Sequence, residues 1–100
     1  MQRMDIHFES NGDAFVWDAA KATRNWRKHA VRFEEAVSVF ADPLFVMTDA
    51  SRNEETRDAA IGFGATGGLL YVVHITLGDS YIRIISARRA TRDEEYQYAY

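Results

Sequence analysis

Lys21, Arg24, Arg27, Lys28 and Arg32 crowd around His29, and no acid interrupts residues 19–33. Arg83, Arg88, Arg89 and Arg92 form a second basic stretch, whereas residues 42–58 set Asp42, Asp49, Glu54, Glu55 and Asp58 against Arg52 and Arg57. These residue types suit phosphate chemistry. An arginine's planar fork engages two phosphate oxygens and stays charged, a lysine supplies a point charge, and an imidazole titrates near neutrality. A chain of formal net charge −3 therefore carries a phosphate-binding patch if its fold joins the two basic stretches. If it does not, each run is a solvated face.

Composition narrows the remaining chemistry. With no cysteine there is no disulfide, thiolate metal site or cysteine nucleophile, and His7, His29 and His74 lack a metal-ligand spacing. No metal and no cofactor is expected. A chain of 100 residues that is 47% hydrophobic reads as one small domain, residues 1–100. One proline, six glycines and no low-complexity run argue against disorder. No apolar span of about 18 residues, signal peptide or lipidation motif is apparent, so the cytoplasm is the expected location and no membrane contact is expected.

The elements that must position the cations follow from periodicity. Asn11-Gly12 between IHFE and AFVW signals a hairpin, with a loose N-terminal extension over residues 1–14 as the alternative. Asp18 can cap a helix over residues 19–30, with an apolar stripe of Ala19, Ala22, Trp26 and Ala30 or His29; Lys21, Asn25 and Lys28 share the neighbouring face. Phe33, Ala36, Val37 and Phe40 predict a second helix, ended by Asp42-Pro43. A short strand at residues 45–48 and an exposed DASRNEE loop come next. Strands are then expected at residues 58–63, 69–77 and 81–87, the middle one so apolar that both its faces should be covered. Thr91 to Glu94 forms a capping box that opens a short terminal helix. The expected fold is α+β: two N-terminal helices packed on an antiparallel β-sheet, with a short C-terminal helix.

Five segments in register carry a resemblance. F-x-W-D-x-x-K at Phe15–Lys21, N-x-x-K-H-x-V-x-F-E-E-A at Asn25–Ala36, VFADP at Val39–Pro43, R-x-x-x-I-G at Arg57–Gly62 and IRIISARRAT at Ile82–Thr91 resemble the BrnT toxins, small bacterial ribonucleases of type II toxin-antitoxin systems. The resemblance implies a RelE-like fold, RNA cleavage and growth arrest. It also implies neutralisation by a BrnA-type ribbon-helix-helix antitoxin, and operator DNA reached only through that antitoxin. Because such antitoxin domains are dimeric, a heterotetramer with two toxin chains is expected. Four departures stand out. The N-terminus is longer, Ala30 replaces a helix-ending glycine, Arg32 replaces a capping serine or threonine, and the terminal RDEEYQYAY is acidic where relatives are basic.

RNA cleavage without a metal needs a base for the 2′-hydroxyl proton, an acid for the departing 5′-oxygen, and cations against the charge building on phosphorus. Arg57, Arg83 and Arg88 are the candidates for the cationic task, with Lys28 and His29 as further catalytic candidates. Lys21, Arg24, Arg27 and Arg89 are candidate RNA contacts. Arg83 between Ile82 and Ile84 needs either an acidic partner or a ligand. Glu34 and Glu35 suit the start of the second helix through its dipole. His74, Trp17 and Trp26 read as core residues, and Tyr96, Tyr98 and Tyr100 as an aromatic edge suited to an antitoxin. A basic groove running from Lys28 to Arg88 favours an enzyme; ion pairs on Arg57 and Arg83 favour an inactive, antitoxin-binding relative.

Overall fold

The computed structural model describes residues 3–79 and 81–99. Its elements are β1 (Asp5–Ser10), β2 (Asp13–Asp18), α1 (Ala19–His29), α2 (Phe33–Val39), β3 (Val46–Asp49), β4 (Asp58–Phe63), β5 (Leu69–Thr76), β6 (Tyr81–Arg89) and α3 (Arg92–Ala99). They form an α+β fold around a six-stranded sheet of order β1-β2-β6-β5-β4-β3.

The N-terminal hairpin forms as the Asn11-Gly12 signal predicts. Both residues have positive φ, 52° and 85°, which matches the right-handed twist of the two flanking strands. The expected arrangement nevertheless needs two corrections. Two strands precede the helices, so the helices are not N-terminal. The sheet is also mixed, because β2 runs parallel to β6 through Ala14–Tyr81, Phe15–Ile82 and Val16–Arg83, while the other pairings are antiparallel. A return strand beside β6 on the far side of two helices cannot be inferred from periodicity within any one segment.

β2 accompanies β6 for only three residue pairs before the chain turns into α1. Asp18 caps this helix by accepting the Lys21 N–H at 3.0 Å. From there α1 packs beside the second half of β6, and a side chain takes over from backbone pairing. Asn25 Nδ2 donates to Ala87 O (2.8 Å) and Val31 O (3.0 Å), and Asn25 Oδ1 accepts the Ala87 N–H (3.0 Å). An amide presents the donor and acceptor of a peptide group, so it satisfies strand groups that would otherwise be buried without partners. The predicted stripe of α1 is corrected accordingly. Asn25 is buried at 6% exposure, while Trp26 is 44% exposed beneath the Arg32 guanidinium, 4.2 Å from its ring centroid.

The core lies between α2 and one face of the sheet. Phe33, Ala36, Val37 and Val39 of α2 meet Phe15, Trp17, Ala60, Leu70, Val72, Ile84 and Ala87. Trp17 stands edge-on to Phe33 with ring centroids 5.8 Å apart. His74 is fully buried here, edge-on to Phe40, with Nδ1 donating to Val72 O (3.1 Å). β5 is central, as predicted, but only its Leu70, Val72 and His74 face is buried. Tyr71, Val73 and Ile75 on the other face remain partly open, which corrects the expectation that both faces are covered. Apolar residues at these positions cover an open sheet face.

Two further corrections concern the ends of strands. β6 continues to Arg89, so Arg88 lies within the strand and not after it. Opposite β5, Ser86 pairs with Val73 and Ile84 with His74, which leaves Ile85 as the extra residue of a β-bulge. The bulge shifts the alternation, so Ile84 and Ala87 both reach the core. The DASRNEE segment is exposed, as expected, but it folds back on itself. Arg52 and Glu55 exchange backbone bonds around Asn53 and Glu54, both at positive φ, and the Ala50 N–H reaches Arg57 O at 2.9 Å.

Ala30 ends α1 in the left-handed region, φ 56° and ψ 33°, its N–H bonded to Trp26 O. Alanine pays there a steric cost that glycine avoids, on the order of 1 kcal/mol. Ala30→Gly should therefore raise the Tm by roughly 4–8 °C for a domain of this size. An unchanged or lowered Tm in a thermal melt would contradict the left-handed assignment.

Candidate nucleic-acid groove

Lys21, Arg24 and Lys28 sit at helical spacings that put them on one face of α1, beside the buried Asn25. Because Asn25 holds that helix to Ala87, the three cations are carried along β6. A groove of about 340 Å³ results, lined by Lys21, Arg24, Lys28, His29, Arg57, Ile85 and Ser86, with Asn25 at its base. A second groove of about 350 Å³ adjoins it, lined by Ser51, Arg52, Arg57, Tyr71, Val73, Ser86 and Arg88. Arg57 and Ser86 belong to both, so the cationic surface runs unbroken from Lys21 to Arg88. No carboxylate lines either groove.

The fold thus brings together six of the nine residues singled out in the sequence: Lys21, Arg24, Lys28, His29, Arg57 and Arg88. Arg83 lies apart, across β2, and bonds the Asp5 carboxylate at 3.3 Å. This is the acidic partner that an arginine in such a strand requires, and it holds the Asp5 carboxyl below the usual carboxylate range. Arg27 is exposed on α1 outside both grooves, and Arg89 points toward Gly68 at the β4–β5 turn. Several groove residues were not anticipated, among them Arg52, which reads as a loop charge, Tyr71, which reads as a core residue, and Ser86, which only the bulge brings into the groove.

Each of the three candidate arginines meets a carboxylate, with unequal consequences. Arg57 uses only Nε, at 2.7 Å from Glu55 Oε1, and Glu55 is half exposed. A solvated pair of this kind contributes little and is readily exchanged. Arg88 is held more firmly. Its Nη1 and Nη2 donate to Glu94 Oε1 and Oε2 at 2.8 and 2.9 Å, and its guanidinium lies 4.3 Å from the Tyr71 ring centroid. The Glu94 hydrogen bonds raise the pKa of Arg88, and Arg88 in turn lowers that of Glu94. Lys21, Arg24 and Lys28 form no ion pair among the described residues.

His29 occupies the last turn of α1 within the first groove. Burial, and then the positive charges of Lys28 and Arg88, push its pKa below the usual imidazole range. At neutral pH its ring is therefore uncharged and can accept a proton. Trp17 is buried as expected, and Tyr98 contacts Asp42 and Phe63. Tyr96 is exposed, while Tyr100 lies outside the described residues.

Residues 17–94 match the family model described as the ribonuclease toxin BrnT of type II toxin-antitoxin systems. The chain belongs to the BrnT toxin family. No curated protein matches it. The matched span contains every groove residue but excludes β1 and most of β2, so the hairpin that supplies Asp5 to Arg83 lies outside the part shared with the BrnT family. Membership at this level makes the chain a ribonuclease toxin by family, with a protein antitoxin as its partner. No helix among the described residues is long and apolar enough to cross a membrane.

His74 also has a lowered pKa, chiefly through burial. For both depressed histidines the unfolded chain takes up protons near pH 6.5 that the folded chain refuses. Stability is thus fully present above that pH and lost as the pH falls toward the depressed folded values. The Tm should be higher at pH 7.5 than at pH 5.5, and His74→Leu should flatten the difference. Equal pH dependence in that variant would show that His74 is not the group responsible.

Proposed function

We propose that this chain is a metal-independent endoribonuclease that cleaves cellular RNA laid along the groove from Lys21 to Arg88. The observation that carries the reading is the lining itself, six cations and one neutral imidazole with no carboxylate. Such a surface recruits phosphates and offers no oxygen cage for a divalent ion. The ribose 2′-oxygen attacks the adjacent phosphorus, His29 receives its proton, and the P–O5′ bond breaks as the departing 5′-oxygen takes a proton from water in the open groove, leaving a 2′,3′-cyclic phosphate and a 5′-hydroxyl. Lys28 of the first groove, with Arg57 at the junction of the two, offsets the charge that develops on the phosphoryl oxygens. Arg88 and Arg52 hold the strand beyond the scissile bond, where Tyr71 offers a ring against a base.

On this reading the fold is a variant of the RelE-like layout, and the toxin acts in the cytoplasm to arrest growth. A BrnA-type ribbon-helix-helix antitoxin covers the groove, and its dimeric domain draws two toxin chains into a heterotetramer that reaches operator DNA only through the antitoxin. A second reading, an inactive relative that only binds antitoxin, is favoured by the carboxylates on Arg57, Arg83 and Arg88.

Arg57→Ala separates the two. In the enzyme, the loss of one transition-state contact should cut RNA cleavage by a hundredfold or more, on the order of 3 kcal/mol, with the Tm unchanged. Lysine there should rescue only in part, because a point charge lacks the fork. Purified wild-type protein that leaves RNA intact, with no growth arrest when expressed without antitoxin, would instead establish the inactive relative.

A second test concerns affinity. Wild-type binding to single-stranded RNA should weaken with salt by about 0.7 log unit per decade for each phosphate contacted. A flat titration would exclude a phosphate-binding groove.

A further inference from the structure

Glu94 does two things at once. As the third residue of α3 it closes a capping box, Oε1 accepting the Thr91 N–H at 2.8 Å while the Glu94 N–H reaches Thr91 Oγ1 at 3.3 Å. The same carboxylate receives both terminal nitrogens of Arg88. Three donors from two residues thus converge on one anion at the end of the basic groove, the donor pattern with which arginine and a backbone N–H grip a phosphate. Tyr71 stacks against the guanidinium and keeps it oriented independently of Glu94.

We propose that Arg88 and the Thr91 N–H form a subsite for an RNA backbone phosphate, and that Glu94 fills it as an intramolecular stand-in that incoming RNA must displace. The proposal rests on the groove being the RNA site. The attachment of α3 suits displacement. The helix contributes no buried residue, and its other contacts to the body include the Tyr98 hydroxyl on Asp42 Oδ2 (2.7 Å) and the Tyr98 ring edge-on to Phe63 (5.3 Å). Lifting its first turn exposes no core. The acidic α3 is then an internal brake on the groove, set by one carboxylate.

Glu94→Gln tests this cleanly, because glutamine also serves the capping box and only the charge on Arg88 is released. The probe is a 2′-O-methyl single-stranded RNA, which cannot be cleaved, titrated by fluorescence anisotropy at several salt concentrations. Glu94→Gln should bind at least about threefold tighter, the scale of a partly exposed ion pair, and its salt slope should steepen by about 0.7. In an Arg88→Ala background the same change should have no effect. Affinity gained equally in that background would mean that Glu94 acts by long-range charge alone, and would overturn the subsite. Unchanged affinity, in a protein whose binding is still weakened by Lys28→Ala, would overturn the subsite and leave the groove standing. RNA bound by neither wild type nor Glu94→Gln would remove both.

Discussion

The clasp between Asn25 and Ala87 is the constraint on which the groove depends. β2 leaves β6 after three pairs, and the second half of β6 would present unpaired backbone groups to a helix that has none to offer in return. One carboxamide meets both Ala87 groups and ties the far end of the helix through Val31. Leaving a buried peptide group unpaired costs roughly 1–3 kcal/mol, so α1 is held in one axial register against the strand. Its cations are placed as a consequence. Lys21 and Lys28 flank Asn25 by four and three residues and Arg24 adjoins it, and this spacing turns a docking bond into a charged wall.

The opposite wall comes from the sheet face that α2 leaves open. The bulge at Ile85 returns Ala87 to the core, where Asn25 reaches its backbone, and brings Ser86 and Arg88 to the open side. The folded-back segment after β3 adds Arg52 and Arg57. Like charges brought this close repel, and the carboxylates on Arg57 and Arg88 offset part of that cost in the free protein. The two pairs differ in kind. Glu55 sits in water beside Arg57, whereas Glu94 is largely enclosed and doubly bonded to Arg88. The acidic α3 therefore acts on the groove through Arg88.

Much of this was legible in the sequence, and the parts that were not share a cause. Local signals gave the hairpin turn, the Asp18 cap, the Thr91–Glu94 box and the places of β4 and β5 in the chain, because each depends on residues close in the chain. Asn25 was placed on the correct side of α1 but read as a surface residue, since nothing local indicates that a backbone waits to receive its amide. Trp26 reads as core from its place in the apolar stripe, although Arg32 covers it at the surface. Arg83 reads as a mid-strand cation needing an acid or a ligand and Arg88 as following the strand, and nothing within IRIISARRAT settles where either points. A bulge that periodicity cannot register, and a carboxylate on β1 far away in sequence, send one to the groove and the other to Asp5.

The most direct test of the account is Asn25→Ala, examined for fold by circular dichroism and amide NMR and for affinity with an uncleavable single-stranded RNA. All six groove cations remain in this variant. The account predicts a folded but less stable protein whose NMR changes centre on residues 25–31 and 84–88, and whose RNA affinity falls because the two walls no longer share a register. A folded variant with wild-type affinity would contradict it, for the groove would then owe nothing to the clasp.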